Sequence, residues 1–237
     1  MRSYRDLCGI ARALDVVGER WALLVVRELL FGPKRFADLH RGLPGMSQNV
    51  LTQRLRDLED SGVLVRRRAL PPTSGLVYEL TDHGRALEPV LLALGRWGSP
   101  LSPRPDSAGE LSPDALIVAL RTTFDPAAMG SGRGTVALRL PGDAFLLTVG
   151  DGGLEAVRGD APADAVLTCA TRTVQDLVFD RLDLDDACRN DVASAEGDLR
   201  LLRRLLAAFD DHREPVVEAA RHLPAEGPPG RGAEKRR

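Results

Sequence analysis

Apolar positions along this chain recur with a helical period in some stretches and alternate in others, and the two rhythms divide it. Over residues 6–17, Ile10, Leu14 and Val17 fall on one side of a helix, and residues 21–30 and 36–41 read as two more. Gly42, Pro44 and Gly45 then break the pattern. Ser47 is a good N-cap, Leu51, Leu55 and Leu58 recur at helical spacing, and Gly62 ends the run. Two alternating stretches, 63–70 and 76–81, flank a Pro/Gly/Ser loop and predict a hairpin. Thr81 or Asp82 caps a longer helix carrying Leu87, Val90, Leu91, Leu94 and Trp97. The expected core is Leu24, Leu29, Leu51, Leu55 and Leu58, and that last stripe is broad for so small a core. It either packs inside the molecule or partly covers a second copy.

The rhythm changes after residue 98. Residues 99–110 are rich in Pro and Ser and read as a linker. Pro113 and Asp114 suit the first turn of a helix holding Leu116, Leu120 and Phe124. Four short strands follow, at 135–140, 144–149, 154–158 and 164–169, with tight turns between them, and predict an antiparallel meander. Helices are expected at 173–179, 184–190, 199–209 and 214–222, and a disordered tail at 223–237. The fold class is therefore α+β: a helix-turn-helix with a hairpin wing at 1–98, then an antiparallel sheet packed on helices at 111–222.

Charge sharpens this division. Residues 1–104 carry 16 Lys/Arg against 11 Asp/Glu, and residues 105–237 carry 16 against 23, so a part at +5 precedes one at −7. That asymmetry suits a DNA-binding module joined to one that does not bind DNA. On the capped helix, Asn49, Gln53 and Arg56 lie opposite the leucines, with Gln48 and Thr52 on its first turn, and together with Ser47 and Arg54 they are the residues expected at the DNA, offering donors and acceptors fit for base edges. On the hairpin, Arg66, Arg67 and Arg68, with Thr73 and Ser74 at its tip, are placed for phosphate.

These pieces resemble one family closely. Residues 8–98 are similar to the HxlR family of bacterial winged-helix transcription regulators. The resemblance rests on Cys8, the Leu-Asp-Val-Val-Gly run at 14–18, Trp21, Arg27 to Leu30, Gly32 and Pro33, Arg35 and Phe36, Leu39, Pro44 to Ser47, the Leu-Thr-Gln-Arg-Leu run at 51–55, Leu58 and Glu59, Ser61 and Gly62, Arg67, Tyr78 to Thr81, Gly84, Leu87, and Trp97 with Gly98. Gly9 stands where the family usually has Pro. The resemblance implies a homodimer built by the first and last helices, a pseudo-palindromic double-stranded operator and, in some members, an oxidant-sensing cysteine matching Cys8. Arg5 and Arg12, one turn either side of it, would favour thiolate, although a small structural Cys is the commoner use. The order helix, meander, helices from 111 onward resembles the sterol-carrier-protein fold, which holds apolar molecules between sheet and helices. Phe145, Leu147, Val149, Leu167, Val178, Phe179 and Leu182 would line such a space, or simply fill a core.

Other chemistry is missing from the sequence. The four histidines are scattered, the aspartates after 180 fit no EF-hand because Cys188 sits where Gly is required, and there is no Walker loop or nucleophile elbow. Three cysteines without CxxC spacing suggest neither disulfides nor a zinc site, and no apolar run spans a membrane. The expectation is a cytoplasmic regulator with no catalytic residues, metal or cofactor. Its partners are DNA, a second copy and an apolar small molecule. The alternatives are an apolar-ligand carrier or interaction module, and a thiol-based switch at Cys8.

Overall fold

The computed structural model describes residues 3–69, 75–101, 109–150, 152–180 and 182–209. Thr73 and Ser74, most of the expected linker, the helix expected at 214–222 and the tail lie outside them.

The N-terminal part runs α1 (Gly9–Val17), α2 (Ala22–Leu29), α3 (Phe36–Gly42), α4 (Gln48–Asp60), β1 (Leu64–Arg68), β2 (Leu76–Leu80), α5 (Asp82–Arg85) and α6 (Glu88–Gly98). The Ser47 hydroxyl caps α4 by accepting from the Val50 amide at 3.4 Å. Leu51, Leu55 and Leu58 of α4 are buried with Val25, Val26 and Leu29 of α2, Leu39 of α3, and Leu64 and Leu80 of the hairpin. Leu24 is not in this core. Ala22, Val25, Val26 and Leu29 fill one face of α2, and Leu24 lies about half a turn away and is 37 % exposed. The single helix expected after the hairpin is two. Thr81 accepts from the Gly84 amide and closes the one-turn α5, and Pro89 then sits in the first turn of α6, where a missing N–H costs nothing.

The C-terminal part runs α7 (Pro113–Thr123), α8 (Pro126–Met129), β3 (Gly134–Leu140), β4 (Asp143–Gly150), β5 (Gly153–Arg158), β6 (Ala165–Cys169), α9 (Thr171–Val178), α10 (Leu184–Arg189), β7 (Ala193–Gly197) and α11 (Leu199–Leu206). Its sheet has the order β5-β4-β3-β6-β7. The meander expectation holds for β3, β4 and β5 and fails at β6, which crosses back and pairs with β3 in parallel, Leu138 beside Leu167. The crossing gives β6 buried positions on a central strand, where Ala165 and Leu167 join the core. β7 was not expected at all. Its Ala-Ser-Ala-Glu-Gly sequence has little strand propensity, and it forms as an edge through its backbone ladder to β6. α7, α9 and α11 cover the sheet with Leu120, Val174, Val178, Leu202 and Leu205 against Val136, Leu138, Leu147 and Leu167.

The two parts have separate apolar cores and are docked on each other. α7 packs against both α2 and α6. A Cβ on Gly95 of α6 would lie 2.6 Å from a Thr122 methyl of α7, so Gly permits the close approach. Phe31, just after α2, packs edge-on against Phe145 of β4, ring centres 5.6 Å apart.

Candidate nucleic-acid interface

α4 is amphipathic in a particular way. Its inner face is leucine, while Ser47, Gln48, Asn49, Gln53 and Arg56 are exposed and Thr52 is half-buried. The Thr52 hydroxyl donates to the Gln48 carbonyl at 2.8 Å, and the Gln53 amide donates to Asp57 at 2.8 Å. Asn49 and Arg56 make no hydrogen bond or ion pair among the described residues, so both are open to an incoming partner. Arg54 is placed otherwise. It pairs with Asp57 at 3.1 Å and Glu19 at 3.8 Å, with its side chain 15 % exposed, so its charge is held within the domain.

The three wing arginines also divide. Alternation puts Arg66 and Arg68 of β1 on one face and Arg67 on the other. Arg66 and Arg68 are exposed without an ion-pair partner among the described residues, whereas Arg67 is bound to Glu79 of β2. Sequence reasoning passed over Arg41. It stands at the end of α3, beside the turn into α4, with a side chain 78 % exposed and 3.2 Å from Asp38. Its signal was a basic residue at the break between two helices. Burial pushes the Asp38 carboxyl up, but Arg35, by hydrogen bond and then by charge, and Arg41 outweigh it and hold it below the ordinary value.

The apolar set assigned to the C-terminal part is buried, or half-buried at Phe179 and Leu182, but not gathered in one place. Leu147, Leu167 and Val178, with Leu120, Leu202 and Phe209, surround an apolar cavity of about 20 Å³. That is room for about one water, against roughly 300–1,000 Å³ for a drug-sized ligand. Val178 and Phe209 also border an open groove of about 380 Å³ with Leu182. Phe145 lines neither space. It sits at the seam, with Phe31 at its edge and the Arg158 guanidinium 4.7 Å above its ring. Val149 packs in the core, and Phe179 packs against it half-buried.

Cys8 is exposed and starts α1, its backbone N–H donating to the Asp6 carboxylate at 2.8 Å. Cys169 is the opposite case: burial, then the nearby Cys188, pushes its thiol up to about 12. Among the described residues no group of three or more His, Cys, Asp or Glu could hold a metal ion. No described helix is long and apolar enough to cross a membrane.

A capped polar helix over a leucine core, followed by a two-stranded wing with free arginines, defines a winged helix-turn-helix DNA-binding protein. The sequence match is narrower: the HxlR-like helix-turn-helix family matches residues 16–105. The chain is 40 % identical over 89 residues to the uncharacterized HTH-type transcriptional regulator YvaP of Bacillus subtilis, covering 37 % of this chain and 82 % of that one. It is 36 % identical over 108 residues to an uncharacterized HTH-type transcriptional regulator of Methanothermobacter thermautotrophicus, covering 45 % and 82 %. The reduced form of YodB from B. subtilis is 30 % identical, over 40 % of this chain and 95 % of that one, with a TM-score of 0.36. The chain belongs to the HxlR-like helix-turn-helix family of transcription regulators. The family match ends at residue 105, and the resemblance of the C-terminal part to sterol carriers gains nothing from it.

Proposed function

We propose that the chain is a homodimeric, sequence-specific regulator in which Asn49, Gln53 and Arg56 read base edges and Arg66 and Arg68 hold phosphates. The observation that carries this reading is the division of α4: a buried leucine face, and an outer face with exposed donors and acceptors, followed by two exposed wing cations that have no ion-pair partner among the described residues. Residues 1–98 form the DNA-binding and dimerising unit, 99–110 the linker and 111–222 the responding unit. Support for the dimer is the apolar surface left on α1 and α6, where Ile10 is 72 % and Trp97 71 % exposed, with Leu7, Val90 and Leu94 beside them. Such a dimer would meet two half-sites about 10 bp apart, or a multiple of that.

The effector is read as apolar or amphipathic, entering by the groove at Val178, Leu182 and Phe209 and widening the small cavity behind it. It would act only by binding the DNA-competent and incompetent states unequally. A second reading, a thiol switch, is favoured by the exposure of Cys8 within the same apolar surface as Leu7 and Ile10.

Fluorescence anisotropy of Asn49→Ala and Gln53→Ala on the chain's own upstream region and on a random duplex tests base reading. A loss of about 1–3 kcal/mol on the specific DNA alone is expected for each good bidentate contact. Equal losses on both DNAs would remove α4 from sequence recognition.

A further inference from the structure

The seam between the two parts contains a chain of alternating charge. Glu28 of α2 and Asp114 of α7 are both fully buried. Lys34 lies between them, its ammonium 2.9 Å from Glu28 and 2.5 Å from Asp114. Arg27 pairs with Glu28 at 2.9 Å, and the Ser112 hydroxyl, which caps α7, donates to Glu28 at 2.6 Å. On the far side Arg158 of β5 reaches Asp114 at 2.6 Å and Asp143, and donates to the Phe31 carbonyl at 3.3 Å. Three carboxylates therefore face three cations. Burial pulls the Arg158 guanidinium down, and Asp114 and then Asp143 more than offset it, so its pKa lies above the ordinary value. Gly42, at the end of α3, makes room: a Cβ there would lie 2.3 Å from a Glu28 carboxylate oxygen.

A buried ion cluster is a poor device for stability alone, because desolvation cancels most of its attraction and well-packed apolar groups often do better. What it does supply is direction. Lys34 carries that direction further than its neighbours, because its backbone belongs to the wing. The Lys34 N–H donates to the Tyr78 carbonyl at 3.0 Å, and the Tyr78 N–H donates to the Lys34 carbonyl at 2.8 Å. Both Tyr78 backbone groups thus point away from β1. Tyr78 and Arg66 then face each other as a non-hydrogen-bonded pair, the arrangement in which opposing residues approach most closely. Asp114, Lys34, Tyr78 and Arg66 form a continuous path from the C-terminal part to a free wing cation. All but two of the 32 basic residues of this chain are Arg, and Lys34 is one of the exceptions. Its compact ammonium with three donors meets both carboxylates at once.

We propose that Lys34 is a positioning residue through which docking of the C-terminal part sets the wing on DNA: its side chain is fixed by Asp114 and Glu28, and its backbone fixes Tyr78 and thereby Arg66. This rests on reading the wing as a phosphate-contacting element, and the test separates the two claims. Full-length protein, Lys34→Met, Asp114→Asn and Arg66→Ala/Arg68→Ala are titrated with a random-sequence duplex between 50 and 200 mM salt. Amide exchange is followed at Tyr78 and, as a folding control, at Leu51 and Leu55. The double arginine variant should lower the salt slope by about 1.8, one unit of ~0.9 per phosphate contact. Lys34→Met and Asp114→Asn should each lower it by about 0.9 or more and speed Tyr78 exchange about tenfold or more, with Leu51 and Leu55 still protected. An unchanged slope in the double arginine variant would remove the wing reading itself. A lowered slope there, with wild-type slope and Tyr78 protection in Lys34→Met and Asp114→Asn, would overturn the relay alone. Should Lys34→Met lose protection everywhere, Asp114→Asn and Lys34→Arg decide: normal Tyr78 exchange in the first, or in the second a Tyr78 amide as fast as in Asp114→Asn, would also overturn it.

Discussion

The two parts of this chain use their apolar residues in opposite ways. The N-terminal part leaves Ile10, Leu7 and Trp97 in water while its small core is complete, and it leaves a polar face on α4 open. The C-terminal part folds most of its large apolar residues inward, and the apolar space lined by Leu120, Leu147 and Leu202 between sheet and helices is only about 20 Å³. The first keeps one apolar face and one polar face uncovered, the two faces that the proposed dimer and the proposed DNA contact would use. The second is close to a solid body whose best-defined charged surface is already used, at the seam with the first. A sequence that exposes what it would normally bury, or keeps polar what it could fill, announces a function. A sequence that fills a core well says only that it folds.

If the seam makes one body of the two parts, the largest effect should come from breaking it. Asp114→Ala removes a buried carboxylate and leaves Lys34 and Arg158 without it. A loss of about 3–5 kcal/mol is expected for such an uncompensated pair. Urea unfolding followed by tryptophan fluorescence checks it, since Trp21 and Trp97 both lie in the N-terminal part. A change below about 1 kcal/mol would mean that the parts are independent and the contrast between them is only one of composition.

Next in size is the contrast across a single helix. Leu55→Ala on the inner face of α4 should cost about 2–5 kcal/mol of stability by transfer and cavity terms. Gln53→Ala, two residues away and exposed, should change stability by no more than about 0.5 kcal/mol while reducing discrimination between operator and random DNA. Should Gln53→Ala destabilise as much as Leu55→Ala, the outer face would be a packing surface. Trp97→Glu should leave stability near wild type and weaken self-association about tenfold or more, read by sedimentation over micromolar concentrations. Unchanged association would move the dimer contact off α6.

How much of this was legible follows the same contrast. Ser47, Gly62 and the leucine period at 51, 55 and 58 define α4 because cap, stop and stripe are local signals that agree. The exposed set on α4 was legible as the complement of that stripe. Leu24 misled because an apolar residue on a short helix looks like core until its neighbours choose a face. β7 was invisible because Ala193 to Gly197 is a strand by virtue of its neighbour β6, and the return of β6 to β3 depends on which edge is free, not on its own residues. The seam was the least legible feature. Lys34 and Asp114 are 80 positions apart, and neither sits in a pattern that marks it as buried or paired. Arg54 and Arg67 show the same limit: as residue types they match Arg56 and Arg66, and only the fold reveals their carboxylate neighbours.

The smallest expected effect sharpens the comparison through the cysteines. Cys8 lies exposed on the apolar surface of the N-terminal part, and Cys169 is buried in the C-terminal core with its thiol raised to about 12. With iodoacetamide at pH 8, Cys8 should be alkylated first by a wide margin, because only about one in ten thousand Cys169 side chains would be thiolate even before burial slows access. The same shift has a signed consequence for stability. A thiol raised in the folded state binds more protons there than in the unfolded chain, where its pKa is about 8.5. Its contribution is complete below pH 8.5 and is lost as pH climbs toward 12, so unfolding free energy should decline over that alkaline window. Cys169→Ala should flatten part of that decline. If Cys169 reacts as fast as Cys8 in the folded protein, the C-terminal part opens readily, its closed core is one conformation among several, and the groove beside Val178 becomes a credible entrance.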